Sequence, residues 1–298
     1  MALEVAEVHA KAGFHIRNWI SNDKTVLQLI GAANPTTVKS FVMDKDCGFE
    51  RLLGMVWLPD EDVFTFRLNF REDHARILTG EEVPTKQQVL SVVMSIYDPT
   101  GFLAAFIIHG KIVIQDIWRS GVDWKNKIPN DIFGRWKRWI ELLPRVEELR
   151  IPRCYFPEYQ PDSWKSLELH VFVDASEQAY SAAAYFRLVD RERVRCAFVA
   201  SKTKVAPLEP LSIPRLECQA AVTGCRLRKS IEDGHSLLIA RTVFWSDSKT
   251  VLQWIRAKDL RRYRPYVAFR VNEILSLSKA AEWRLVPPRL NVADFATK

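Results

Sequence analysis

Residues 167–174, Leu167-Glu168-Leu169-His170-Val171-Phe172-Val173-Asp174, form a short, mostly apolar run that ends on an acid. A run of that length is a strand bordered by a core, and the residue that ends it stands at a sheet edge. Two further strands follow after short connections, over 182–188 and 194–200. Residues 212–231 read as a long helix whose start is marked by Ser212 and Pro214. Then come a strand over 241–245, helices near 248–257 and 264–280, and a strand over 282–286. Three consecutive strands followed by alternating helices and strands predict an α/β fold, a mixed sheet flanked by helices.

Four acids fall at element ends in this pattern. Asp174 follows Val171-Phe172-Val173, and Glu217 lies in the first turns of the 212–231 helix. Asp247 follows Val243-Phe244-Trp245-Ser246, and Asp294 closes Asn291-Val292-Ala293-Asp294, where a last helix is expected to begin. Acids just past apolar strands converge at one sheet edge, where open α/β sheets place their sites. Carboxylates crowded together repel and need a cation. Hard oxygen ligands suit Mg²⁺ or Mn²⁺, and two such ions stabilise the attacking and leaving oxygens of a phosphodiester. Taken one at a time, an Asp after a strand is as well explained as a turn or cap residue.

Upstream the pattern is less regular and reads as α+β. Residues 1–30 show helical spacing, 52–57 and 63–66 two strands around the acidic turn 59–62, and Thr85 caps a helix over 86–96. Tyr97-Asp98-Pro99-Thr100-Gly101 breaks the chain before amphipathic helices over 102–118 and 131–148. The proline-rich stretch with Pro152, Pro157 and Pro161 marks a domain boundary, giving domains 1–160 and 161–298.

The charge follows that division. Residues 1–160 hold 20 Lys+Arg and 21 Asp+Glu, whereas 161–298 hold 23 and 15, so the basic surplus of the 298-residue chain lies in its second half. It is densest at Arg256, Lys258, Arg261, Arg262 and Arg264, interleaved with Trp254, Tyr263 and Tyr266, with a second cluster at Arg226, Arg228 and Lys229. Cations among aromatic rings suit a nucleic-acid backbone; a solvated helix face is the plainer account. With 48% hydrophobic and 27% charged residues the chain is neither disordered nor fibrous. No apolar stretch reaches membrane-spanning length, and the N-terminus lacks the pattern of a signal peptide. Five scattered cysteines without a C-x-x-C pair read as reduced thiols, mostly core filler, of an intracellular protein. The six histidines show no ligand spacing, and Trp118, Trp136 and Trp139 read as packing residues.

Val171-Phe172-Val173-Asp174-Ala175-Ser176, Ile213-Pro214-Arg215-Leu216-Glu217, Trp245-Ser246-Asp247-Ser248 and Asn291-Val292-Ala293-Asp294 resemble the ribonuclease H motifs of Bel/Pao retrotransposon polyproteins. Ala12-Gly13-Phe14 with Asn18-Trp19, and Leu53-Gly54-Met55-Val56-Trp57, resemble the segment that follows the reverse-transcriptase palm. Thr85-Lys86-Gln87 through Gly101-Phe102 resembles the thumb and connection region. The resemblance implies an RNase H-like fold that hydrolyses RNA in RNA/DNA hybrids, with Asp174, Glu217, Asp247 and Asp294 as ligands of two Mg²⁺ or Mn²⁺ ions. It also implies other retroelement polyprotein products as partners, and the cytoplasm, a virus-like particle or the nucleus as location.

The chain departs from the family pattern in several places. No Tyr-x-Asp-Asp pair occurs, so polymerisation by this polypeptide is not expected. The region is also called a Pao retrotransposon peptidase, yet neither Asp-Thr-Gly nor Asp-Ser-Gly is present. No histidine lies between His235 and Asp294, and Lys298 follows Asp294 by four residues, so the last helix is expected to be missing or displaced. The alternative is a catalytically inactive retroelement fragment that binds nucleic acid or protein.

Overall fold

The computed structural model describes residues 2–16, 19–33, 50–52, 55–158, 166–190, 193–257 and 259–297. Asn18, Cys47, Leu53, Gly54, Pro161 and Lys258 lie outside the described residues, as does the expected boundary near residue 160. The described chain forms two compact units, residues 1–67 with 145–154 and residues 68–144 with 155–298. This partition by packing is not the one drawn above from charge and motif.

The first unit carries helices α1 (Ala2–Lys11) and α2 (Lys24–Ala33) and strands β1 (Glu50–Leu52), β2 (Met55–Leu58) and β3 (Val63–Phe66). Pro152, the first of the prolines read as marking a domain boundary, lies in a short fourth strand (Ile151–Pro152) that pairs antiparallel with β3. Proline is tolerated there because an edge strand needs no N–H on its outer side. Asp62, in the acidic turn at φ +52°, bonds the Arg153 guanidinium at 2.5 and 2.9 Å and ties that strand back to the turn.

In the second unit a short helix α3 (Ala75–Leu78) precedes α4 (Lys86–Ser95), α5 (Ala104–Arg119) and α6 (Asn130–Ile140). Thr85 caps α4 as expected, its hydroxyl accepting from Gln88 N while the Gln88 side chain accepts from Thr85 N. The expected helix over 131–148 is broken: α6 stops at Ile140, and a one-turn helix α7 (Leu143–Glu147) follows. Pro144, which lacks an N–H, fits a first turn and not a helix interior. Trp136 and Trp139 are buried as expected, but Trp118 is 46% exposed, with the Lys86 ammonium 3.5 Å from its ring centre.

With the two-residue strand numbered β4, the remaining elements are β5 (Ser166–Ala175), β6 (Ala179–Val189), β7 (Val194–Val205), α8 (Ile213–Gly234), β8 (Arg241–Ser246), α9 (Lys249–Ile255), α10 (Pro265–Leu277) and β9 (Trp283–Leu285). The sheet order is β7-β6-β5-β8-β9: an antiparallel meander with β8 parallel to β5 and β9 parallel to β8. Both β6 and β7 run longer than the apolar pattern indicated. Ladder pairing carries β6 back to Tyr180 and β7 on through Lys202 and Lys204, two charged residues that an apolar pattern does not include. The residues after Asn291 form a short 3-10 helix (Val292–Ala296).

Helix α8 lies on β5 and β6 through Ala220, Ala221 and Gly224, all buried. A Cβ on Gly224 would stand 2.5 Å from Val173 Cγ1 and 3.3 Å from Val171 Cγ1, so the close approach of helix to sheet requires glycine. On the other face α5 packs against β7. Gly101, at φ +81°, lies so near the Ser201 carbonyl that a Cβ would come within 2.0 Å of its oxygen. Two of the four described cysteines, Cys218 and Cys225, are core residues, and Cys154 and Cys196 are exposed.

Candidate active site

β5 and β8 run parallel with Val173 opposite Ser246, so Asp174 and the residue after β8, Asp247, reach the same sheet end side by side. Glu217 sits on the face of α8 that also carries Ala220, Ala221 and Gly224, the i, i+3, i+4, i+7 stripe that lies on the sheet. The glycine contact therefore sets how deeply Glu217 is carried toward the two aspartates. One carboxylate oxygen from each of Asp174, Glu217 and Asp247 lies within 4.8 Å of the others. Asp174 and Glu217 are buried and Asp247 is half-buried.

Three carboxyl groups this close are not all ionised without a cation. Burial, and then the charges of Asp174 and Asp247, push Glu217 up to about 9; the Ala175 backbone pulls weakly the other way. Glu217 Oε2 is buried with no hydrogen-bond partner. A buried carboxyl oxygen lacking any donor, between two other acids, is the environment that a hard divalent cation satisfies.

Asp174 is held by residues that motif spacing did not point to. Asn291 donates from Nδ2 to Asp174 Oδ1 (3.3 Å) and to Val173 O (3.0 Å), and the Thr297 hydroxyl donates to Asp174 Oδ2. The segment carrying both is clamped onto the sheet: Ser176 Oγ donates to Thr297 O (2.6 Å), Ser181 Oγ to Ala293 O (2.7 Å) and Thr203 Oγ1 to Ala296 O (3.1 Å). The only sequence signal for this was that Asn291 opens the stretch ending in Asp294.

Asp294 does not join the three. It lies half-buried on the 292–296 helix, lining a cavity of about 830 Å³ with Phe106, His109 and Arg138. Of the basic segment, Arg261, Arg262 and Arg264 are exposed. Arg261 bonds Asp259 (3.0 Å), and Arg256 donates to Trp283 O (3.2 Å), so Arg256 also ties α9 to β9. No described helix is long and apolar enough to cross a membrane.

On the sheet face away from α8, Glu168 is buried among cations. Arg187 Nη1 donates to it at 2.8 Å, Arg241 Nε lies 2.8 Å from its other oxygen, and His170 Nε2 donates at 3.0 Å while its Nδ1 accepts from Trp245 Nε1 (2.9 Å). Burial raises the Glu168 pKa, but the bonds from His170, Arg241 and Arg187 outweigh it and bring it to about 2. This hub is structural and stands apart from the three acids.

The profile of the Pao retrotransposon-like RNaseH-like domain family matches residues 85–248, a span that includes Asp174, Glu217 and Asp247. No curated protein matches the chain. Similar solved structures include the N-terminal RNase H domain of a Mycobacterium tuberculosis protein (15% identity, 44% of this chain and 91% of that one, TM-score 0.30). RNase H1 from Halobacterium salinarum is another (14%, 43% and 90%, TM-score 0.27). A third is the foamy viral protease-reverse transcriptase in complex with an RNA/DNA hybrid (12%, 82% and 30%, TM-score 0.44); this chain spans less than a third of that protein's length.

Proposed function

The chain belongs to the Pao retrotransposon-like RNaseH-like domain family, and from that premise we propose that it is a divalent-metal-dependent nuclease that cuts the RNA strand of RNA/DNA hybrids. The observation that carries this reading is the buried meeting of Asp174, Glu217 and Asp247, with Glu217 Oε2 left without a donor. Asp174, Glu217 and Asp247 would hold two Mg²⁺ or Mn²⁺ ions, which would supply Lewis acidity for phosphodiester hydrolysis.

The chain's own residues do the remaining work. Asn291 and Thr297 fix Asp174 in one rotamer, so this ligand is oriented before any cation arrives. Glu217 holds its proton in the absence of a cation and releases it when one binds, which couples metal affinity to pH. Arg261, Arg262 and Arg264, all exposed, hold the hybrid backbone together with Lys258, and the 2′-hydroxyl distinguishes RNA from DNA. In this reading residues 161–298 are the nuclease domain, and 1–160 derive from the region between a polymerase palm and that domain. Other products of the same polyprotein are its partners.

The test is a purified protein, a hybrid labelled on the RNA strand, and Mg²⁺. Cleavage is expected in the wild type and lost in Asp247→Asn, which keeps the side chain's shape and removes a charged ligand. One observation favours a second reading, a non-cutting nucleic-acid-binding module: Asp294 stands outside the acidic group. Tight hybrid binding with no cleavage in either Mg²⁺ or Mn²⁺ would decide for the binding module.

A further inference from the structure

Strand β7 alternates its side chains between two environments. Ser201 and Thr203 point to the α5 side, bonding Gly101 O (2.5 Å) and Ala296 O. Lys202 and Lys204, between and after them, take the α8 side and are exposed. There they line a cavity of about 390 Å³ with Thr223, Arg226 and Ser230 of α8. Neither lysine pairs with an acid among the described residues. Arg226 bonds Glu273 of α10 (2.7 Å) and keeps a largely exposed side chain. Lys111 of α5 adds charge nearby: its pKa is lowered by burial first and by Lys202 second. Asp98, the acid near Lys111, is occupied by the N–H groups of Gly101, Phe102 and Leu103. At the far end of the groove His235 Nδ1 is bonded to Ile231 O and its Nε2 to the Tyr155 hydroxyl.

The groove also has a direction. Lys204 is level with Tyr180, and Tyr180 with Ala175, the residue after Asp174. Two strand spacings, roughly 10 Å, therefore separate the start of the groove from the acidic site. Along α8, Thr223, Arg226 and Ser230 lie about 9, 14 and 20 Å beyond Glu217 at 1.5 Å per residue. A line of cations and hydroxyls thus begins beside the three carboxylates and leads away from them. Carboxylates at one end, the unpaired lysines roughly 10 Å across the sheet from them and Arg226 with the α8 hydroxyls further along fit a phosphodiester chain that meets cations at the acids and runs on into the groove.

We infer that the groove between β7 and α8 is a second backbone-binding site for nucleic acid, separate from the 256–264 segment, holding phosphates of the strand that passes the acidic site. This rests on the proposed nuclease reading, and binding measured without cleavage separates the two. The experiment is fluorescence anisotropy of a labelled 20-base-pair RNA/DNA hybrid in EDTA over a range of NaCl, with wild type, Lys202→Ala/Lys204→Ala and Lys202→Arg/Lys204→Arg. Both lysines are exposed and unbonded, so the variants are expected to melt like the wild type.

The alanine pair is expected to flatten the slope of log K against log salt by about 1.8, 0.9 for each lost phosphate contact, and the arginine pair to leave it unchanged. An unchanged slope, or no binding by the wild type, overturns the groove. A changed slope in a protein that never cuts leaves the groove standing and removes the nuclease.

Discussion

Glu217→Gln exchanges an ionisable carboxyl for a neutral amide of the same shape at the centre of the acidic site. In the unfolded chain this carboxyl titrates near 4.5, while in the folded, metal-free protein burial and its two acidic neighbours hold its proton to about 9. Between those values the folded state binds more protons than the unfolded state. Stability of the metal-free wild type therefore falls as pH rises, by up to about 1.4 kcal/mol per unit from this group. From pH 5 to pH 8 the loss amounts to at most about 4 kcal/mol. Glutamine carries no such proton, so the variant should match the wild type near pH 5 and exceed it progressively towards pH 8. Mg²⁺ should reverse the order: the cation replaces the proton, so its stabilisation of the wild type grows with pH and is much smaller in Glu217→Gln. Urea unfolding at pH 5, 6, 7 and 8, in EDTA and in Mg²⁺, reads all of this. Subtracting the two proteins at each pH cancels the titrating groups that do not interact with Glu217. Parallel pH curves for wild type and variant in EDTA would refute the idea that Glu217 is held protonated by burial and by its acidic neighbours.

The Glu168 hub should behave in the opposite sense. Its depressed pKa, about 2, contributes stability that is complete above pH 4.5 and lost as pH falls towards 2, so Glu168→Gln should cost about 2–3 kcal/mol at pH 7 and nothing near pH 2 by acid titration of unfolding. Gly224→Ala should cost about 1–3 kcal/mol, because the new methyl meets Val173 Cγ1 at 2.5 Å, and should weaken Mg²⁺ binding by calorimetry as α8 lifts Glu217 from the aspartates. Thr297→Val removes the hydroxyl bonded to Asp174 and should lower Mg²⁺ affinity about 10-fold with little change in melting temperature; an unchanged affinity would make the Thr297 bond incidental to the site.

Features governed by local period and by residues adjacent in the chain are legible before any folding is considered. Apolar runs ending at Val173 and Ser246 place Asp174 and Asp247 just past strands, and the Ser212–Pro214 start puts Glu217 in the first turns of a helix. The three acids, the mixed sheet and the flanking helices were legible because strand and helix periods, and the order of elements, follow from nearest neighbours alone. Everything that depends on which distant residues share a space was decided by tertiary structure. Thr297 lies 123 positions from the Asp174 that it bonds. Glu168 reads as one charge in an alternating strand, and only packing surrounds it with Arg187, Arg241 and His170. Asp294 shares its motif's logic with the other three acids, yet the short helix that carries it turns it towards Phe106 and Arg138. Lys202 and Lys204 look like solvated strand residues until α8 is laid beside them. Desolvation and Coulomb energies depend on distance in space, so the chemistry of the site and its groove appears only once the chain has folded.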